Sequence, residues 1–342
     1  MATVTLTNTD ARIIPMGEAD LAGLDALFDE QCREWLGLLR WDYTGPNRLV
    51  RQVARQRDLT GFVAVSGGRA IGFAYYIVEN NRCSIGDIYV TKGWRGAGVD
   101  RQLVAAILDA LDSGPRLRRI ESQCVSIDND GASELFVARG FERFDRYYMM
   151  RELAQDESDG ATTTNTRSVR PAADGDDADL IIRAWQEADF PQAARVIHQS
   201  YQGRTDSRIN SQYMTEEGCA ELLAILTDHL WCGDFLPHVS RIAARRGGRR
   251  LVGVLIASRI APRVGHVGQL SVHHAYQGQG LGRRLLAGVL HEFAQYGFNA
   301  ATLAVTGINR PALRLYEATG FRCIHSFPVF FKSDNEAHRP GR

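Results

Sequence analysis

Three stretches of this 342-residue chain occur twice, in the same order and at nearly one spacing. Ile13-Ile-Pro-Met-Gly-Glu-Ala-Asp20 returns as Ile182-Arg-Ala-Trp-Gln-Glu-Ala-Asp189. Arg95-Gly-Ala-Gly-Val-Asp100 stands where the second half has Gln277-Gly-Gln-Gly-Leu-Gly282. Asn129-Asp-Gly-Ala-Ser-Glu-Leu-Phe-Val-Ala-Arg-Gly-Phe141 matches Asn309-Arg-Pro-Ala-Leu-Arg-Leu-Tyr-Glu-Ala-Thr-Gly-Phe321. The offsets are 169, 182 and 180 residues. A repeat of that length is a whole domain copied in tandem, so one fold has to satisfy both halves.

The boundary between the copies is compositional. From Glu152 to Asp179 large apolar residues nearly vanish, and Asp, Gly, Thr and Ala take their place. Such a segment cannot bury a core and reads as a flexible linker. The expected organisation is therefore a domain at 1–151, a linker at 152–179, a second domain at 180–333 and a tail at 334–342.

The charge balance narrows the partners. Lys plus Arg and Asp plus Glu both number 40. No global field argues for nucleic acid or an anionic membrane. No apolar run approaches the ~20 residues of a transmembrane helix, and residues 1–15 lack a signal-peptide core. Cys32, Cys83, Cys124, Cys219, Cys232 and Cys323 are scattered without a C-x-x-C. They read as reduced thiols of a cytoplasmic protein, with no metal site expected.

Hydrophobic spacing gives an α/β pattern in each half. In the first, a strand from Ala11 leads into a helix toward Trp35. A loop is expected at Trp41–Arg48, from its Gly-Pro pair, with a helix after it to Arg57. Strands follow at Phe62–Ser66, Ala70–Val78 and Ser84–Val90, then a glycine loop at 92–98 and a helix carrying Leu103, Val104, Ile107, Leu108 and Leu111. A strand at Leu117–Val125, a helix at Gly131–Arg139 and a closing strand at Phe141–Arg151 complete it. In the second, strands are expected at 180–186, 239–246, 250–258, 265–272, 300–305 and 321–332. Helices are expected at 188–200, 215–230, 280–297 and 310–319, with a long polar loop at 201–213.

The chemistry concentrates between Gln269 and Gly282. A strand ends near Val272, glycines punctuate Gln277–Gly282, and a helix begins with its apolar face at Leu281, Leu285, Leu286, Val289, Leu290 and Phe293. Strand, glycine turn and helix start together make a phosphate site, because unpaired N–H groups and the helix dipole point outward there. Gly-Lys-Ser/Thr is missing, and the order Gln-x-x-Gly-x-Gly differs from the dinucleotide fingerprint.

That order resembles the acetyl-CoA loop of the GNAT superfamily of acetyltransferases. Asn309-x-x-Ala-x-x-Leu-Tyr-Glu-x-x-Gly-Phe321 resembles the same family's second signature. The resemblance implies an α/β fold of two tandem GNAT-like domains, each a mixed twisted sheet flanked by helices and splayed between its fourth and fifth strands. It implies acetyl-CoA as cosubstrate and direct attack by a primary amine, on a small molecule or a protein. Gln277, Gly278, Gln279, Gly280, Leu281 and Gly282 would cradle the pyrophosphate, with Arg283 adding a charge. The backbone of Leu270, Ser271 and Val272 would pair with the pantetheine arm and polarise the thioester. Asn309 would hold the arm, and Tyr316 would be the acid for the departing thiolate.

The general base stays open among Asp206, Glu216, Glu217, His229 and His273. His273 and His274 are expected on opposite faces of a strand, which argues against a metal pair. The first copy has Asp100 for Gly282 and Phe136 for Tyr316, so a non-catalytic first domain is expected. Asp100 would oppose a pyrophosphate by charge. A CoA-binding regulatory or scaffolding protein without turnover is the alternative, and a longer acyl chain is a third reading that a void around Leu270 and Leu303 would mark. The polar segment 201–213, with Arg204, Asp206, Arg208 and Asn210, would form the acceptor wall. The tandem layout allows an intramolecular pseudo-dimer.

Overall fold

The computed structural model describes residues 11–334, apart from Asn129 and residues 154–178, 229–231 and 247–249. Most of the expected linker, the tail beyond Asp334 and His229 lie outside the described residues.

The first sequence repeat runs β1 (Arg12–Pro15), α1 (Leu21–Leu39), α2 (Thr44–Arg55), β2 (Gly61–Ser66), β3 (Arg69–Glu79), β4 (Arg82–Val90), α3 (Val99–Asp112), β5 (Arg119–Ser122), α4 (Asp130–Ala138) and β6 (Glu142–Glu152). The second opens with β7 (Leu180–Ala184), α5 (Phe190–Tyr201), α6 (Thr205–Ile209), α7 (Glu216–Thr227), β8 (Asp234–Phe235) and β9 (Arg241–Arg245). It continues with β10 (Leu251–Ala261), β11 (Val264–Val272), α8 (Leu281–Gln295), β12 (Ala300–Thr306), α9 (Arg310–Ala318) and β13 (Arg322–Ser333).

These elements pack as two compact units that do not follow the sequence repeat to its end. Unit one holds the chain up to Leu38, Tyr43–Arg146 and the stretch from Ser326 onward; unit two holds Leu39–Asp42 and Tyr147–His325. The last strand of each repeat is thus divided. In unit one, β1, β2, β3 and β4 are antiparallel neighbours, β4 and β5 are parallel, and β13 closes the sheet antiparallel to β5, with Phe330 opposite Ser122. In unit two, β7, β9, β10 and β11 are antiparallel neighbours and β11 pairs with β12 in parallel. The second half of β6 lies beyond β12. Each is the mixed, helix-flanked sheet that the resemblance to the GNAT superfamily implies. Alternation along a strand fixes which face is buried but leaves open which sheet edge it joins. Phe330 shows the choice made in unit one, where it stacks on Phe136 at 4.5 Å.

The apolar stripes foreseen in both long helices face inward. Leu281, Leu285, Leu286, Val289, Leu290 and Phe293 of α8 are all buried, as are Leu103, Val104, Ile107, Leu108 and Leu111 of α3. Two loops turn out helical. Gly45 and Pro46 lie in the first turn of α2, where a missing N–H costs nothing because that donor has no partner inside the helix. Segment 201–213 forms α6 and a 3-10 turn at Ser211–Met214, which the Asn210 side chain caps by accepting from Gln212 N at 3.0 Å.

Candidate active site

The site in unit two begins where β11 and β12 part. Their parallel ladder runs from Val264 opposite Ala300 to Val267 opposite Leu303 and stops there, although β11 continues to Val272 and β12 to Thr306. A bulge against β10 falls at the same place, with Ile256 opposite Gln269 and Ala257 opposite Val267. The extra residue on β11 is Gly268, and a bulge bends the strand that carries it.

Beyond Val272 the chain makes a 3-10 turn and reaches Gly278 and Gly280, at φ of 77° and 82°. Both lie in the left-handed region that glycine takes without strain. Gly280 caps α8, so the N–H groups of its first turn, Leu281 to Arg283, have no acceptor within the helix. The Gln277 side chain ties the loop to its strand by donating to Val272 O at 2.9 Å. Arg204 in turn donates to Gln277 Oε1 at 2.7 Å.

A cavity of about 690 Å³ opens over this loop and the start of α9. Leu270, Ser271, Val272, Gln277, Gly278, Gly280, Leu281, Gly282, Arg283, Asn309 and Tyr316 all line it. Gln279 does not; its side chain folds back to donate to Ala275 O at 2.9 Å. Asn309 caps α9 by accepting from Ala312 N at 3.3 Å, and its amide approaches Asp206 Oδ2 at 3.4 Å. Tyr316 is buried. Desolvation, then the neighbouring Tyr201 and Asp206, push its pKa well above the ordinary phenol value, so it holds its proton through the neutral range.

Of the base candidates, Asp206 reaches the cavity wall. Glu216 pairs with Arg195 at 3.1 Å, and Glu217 is exposed in the first turn of α7. His273 is buried with Nδ1 accepting from Ala275 N, and burial, His274 and Arg250 lower its pKa. The two histidine rings stack at 4.2 Å and do not take opposite faces. Strand alternation no longer governs them, because β11 ends at Val272.

Unit one carries the same parts differently used. Its crevice, lined by Gly86, Ser122, Cys124, Phe136 and Phe330 among others, is about 10 Å³. Phe136 fills the place of Tyr316 and packs on Phe330 and Phe141. Arg95 keeps the strand tie of Gln277, donating to Val90 O at 2.9 Å, but its guanidinium is held by Glu34. Asp100 does more than add charge to a helix start. It is buried, and its Oδ2 accepts from Ala132 N at 2.7 Å, which joins the beginnings of α3 and α4.

Sequence reasoning passed over Gln269 as a side chain, and Tyr201 and Tyr213 as more than loop residues. Gln269 is buried and bonds Tyr213, Tyr201 and Ser271. The 182-residue offset was the available signal, since it sets Gln269 opposite Asp87, another buried polar residue.

A strand splayed from its neighbour, with a glycine loop and helix start at the opening, is the architecture of an acetyl-CoA-dependent acetyltransferase. The model of the acetyltransferase (GNAT) family matches residues 24–141 and again 207–321. The chain belongs to that family and is a tandem GNAT acetyltransferase. It is 26% identical over 239 residues to a mycothiol acetyltransferase of a Nocardioides species, covering 66% of this chain and 72% of that protein. It is 42% identical over 91 residues to the N-alpha-acetyltransferase RimI of Mycobacterium tuberculosis, covering 26% of this chain and 55% of that protein. The fold is shared with a GCN5-related N-acetyltransferase from Sphaerobacter thermophilus, at a TM-score of 0.60 and 18% identity over 94% of this chain and 95% of that one. A tandem GNAT protein from the clavulanic acid biosynthesis pathway superposes at a TM-score of 0.53 and 16% identity, over 95% and 98% of the two chains. The family implies acetyl-CoA and an amine acceptor. Among the described residues no helix is long and apolar enough to cross a membrane.

Proposed function

We propose that acetyl transfer to a primary amine takes place in the cavity of unit two, and that unit one is non-catalytic. The observation that carries this reading is the contrast of cavities, about 690 Å³ around Tyr316 against about 10 Å³ around Phe136. Small-molecule sites usually occupy about 300–1,000 Å³.

The residues of unit two suit acetyl-CoA. A Cβ at Gly278 or Gly280 would meet nothing within 4 Å, so the loop offers bare backbone at the mouth of the cavity. The first-turn N–H groups of α8 and the Arg283 side chain would take the pyrophosphate. The diverging backbone of Leu270 to Val272 would take the pantetheine amides, and Asn309 the arm beyond them. Acetyl-CoA supplies an acetyl group activated as a thioester.

The chain's own residues handle the protons. A neutral amine forms the new C–N bond as the C–S bond breaks. Tyr316, kept protonated by its burial, gives its proton to the leaving sulfur. Asp206, on the same wall, receives the proton that the amine sheds, directly or through water. The same carboxylate near Tyr316 also helps hold the phenol proton in place.

The test is thiol release from acetyl-CoA over a panel of amines, which includes the amine precursor of mycothiol because relatives bear that name. Wild type, Tyr316→Phe, Asp206→Asn and Gly282→Asp are compared. Turnover that survives at wild-type level in all three variants sinks the assignment to unit two.

A further inference from the structure

Arg204, Thr205 and Asp206 wall the cavity of unit two at the N-cap and first turn of α6. That helix has little core of its own, since Ile209 is the buried one of its five residues. A short element with few buried apolar contacts opens easily. Two polar contacts tie it to the elements that border the cavity. Arg204 donates to Gln277 Oε1 at 2.7 Å, and the Asn309 amide lies 3.4 Å from Asp206 Oδ2. Gln277 stands in the glycine loop and Asn309 caps α9, so α6 is fastened to both.

The first of these contacts falls short of what an arginine can make. A guanidinium carries five N–H donors in a planar fork that suits carboxylates and phosphates. Here it meets a neutral amide, and among the described residues it forms no ion pair. Gln277 belongs to the loop assigned above to the pyrophosphate, so a bound diphosphate would stand beside the guanidinium. Charge-assisted bonds to phosphate are stronger than a bond to an amide oxygen, so the diphosphate would displace Gln277 as the partner.

Unit one has the same junction with its charges already paired. At the 169-residue offset Glu34 falls on Gly203, next to Arg204, and at the 182-residue offset Arg95 falls on Gln277. Glu34 holds the Arg95 guanidinium through both carboxylate oxygens, with Nη1 to Oε1 at 2.6 Å, and Asp128 lies 3.6 Å from the same Nη1. The first helix of that repeat is thus locked to its glycine loop by an ion pair, beside the collapsed crevice. In unit two the loop residue is neutral and the arginine stands on the wall, able to change partner.

We propose, resting on the assignment of acetyl-CoA to unit two, that Arg204 is a further cofactor-binding and positioning residue, which exchanges Gln277 for the pyrophosphate when acetyl-CoA enters. Asp206 stands two residues further along the same short helix. The exchange therefore steadies the wall that carries the proposed base, and one side chain couples that wall to the cofactor.

Hydrogen exchange of the full chain, with and without CoA, tests the coupling. At CoA about ten times its Kd, an opening of α6 that must first break the arginine–diphosphate contact is suppressed about tenfold. Exchange across 204–210 should slow by that factor, together with exchange across 277–283. Arg204→Gln keeps a polar side chain without the charge. It should weaken CoA binding by about tenfold, and at matched occupancy leave 204–210 exchanging as it does without CoA. Arg204→Lys keeps the charge without the planar fork and should restore part of both effects. A residue that merely supported the fold would alter exchange equally with and without CoA. Slowing confined to 277–283, or slowing across 204–210 that persists in Arg204→Gln, overturns the proposal. Absence of slowing across 277–283 in wild type means that the assignment of the cofactor to unit two has failed, and the role of Arg204 falls with it.

Discussion

Gly282→Asp transplants into unit two the residue that unit one carries at the matching position. The substitution fits. An ideal Cβ at Gly282 would stand 3.5 Å from Leu315 Cδ2 and 3.8 Å from Val272 Cγ2, both ordinary contacts. Asp100 shows where such a carboxylate goes, since it takes Ala132 N at 2.7 Å. The matching donor is Ala312 N, which now gives a longer bond of 3.3 Å to Asn309 Oδ1. The new side chain would compete for that donor, loosen Asn309 and close the cleft between the starts of α8 and α9. It would also set a negative charge beside the proposed pyrophosphate site. At about 4 Å and an effective dielectric of about 20, that repulsion is about 4 kcal/mol, an upper bound that salt reduces. Acetyl-CoA affinity should therefore fall about ten- to a thousandfold. Fold stability should move the other way, because an acid in a helix's first turn adds about 0.3–1 kcal/mol. Calorimetric titration with acetyl-CoA beside a thermal melt separates these effects. An unchanged Kd refutes the account of Asp100, and a lost fold refutes the claim that the side chain fits. The reciprocal change, Asp100→Gly, should cost about 0.5–2 kcal/mol as a lost helix-start acceptor and leave turnover as it was.

Tyr316→Phe should lower kcat by about a hundredfold or more with little change in acetyl-CoA affinity, measured by thiol release and titration; an unaltered kcat removes Tyr316 as the acid. Asp87 has its pKa pushed up to about 6 by burial, against hydrogen bonds from Gln31, Tyr43, Cys124 and Tyr75 that favour ionisation. Between about pH 4 and 6 the folded chain thus holds a proton that the unfolded chain has released, so stability is greater at low pH and is lost as pH rises through 6. Asp87→Asn should then gain up to about 3 kcal/mol relative to wild type between pH 4.5 and 7.5, in urea denaturation; a pH-independent difference contradicts this. Phe330→Ala should cost about 3–5 kcal/mol and lower the melting midpoint of unit one, through its contact with Phe136 in place of any effect on the cavity of unit two.

Much of this molecule is legible before any coordinates. The apolar stripe from Leu281 to Phe293 and the glycines at 278 and 280 place a helix start against a strand end, because side-chain spacing and φ tolerance are local properties. Leu270 to Tyr316 gather in one cavity because family signatures record which loops meet. What stayed hidden depends on tertiary partners. Thr44–Arg55 reads as beginning with a turn, since Gly45-Pro46 usually breaks structure, yet a first helical turn tolerates both. Residues 205–214 are too polar and too short to show a period. Gln269 looks like one more polar residue on a strand until Tyr201, Tyr213 and Ser271 converge on it. The edge that β13 joins is likewise set by Phe136 and Ser122, far away in sequence.

That last strand has a consequence for how the chain is made. Synthesis delivers β1 to β5 and α1 to α4 early, yet among the described residues the strand that pairs with Arg119–Ser122 on the side away from β4 is Phe330–Ser333. At about 5–20 residues per second, β5 waits through the making of some two hundred residues before its neighbour exists. During that interval an unpaired strand edge and the Phe136 side of the core stand open. Unit one is begun before unit two yet waits for β13 to complete its sheet, so its edge at β5 stays exposed until that strand arrives.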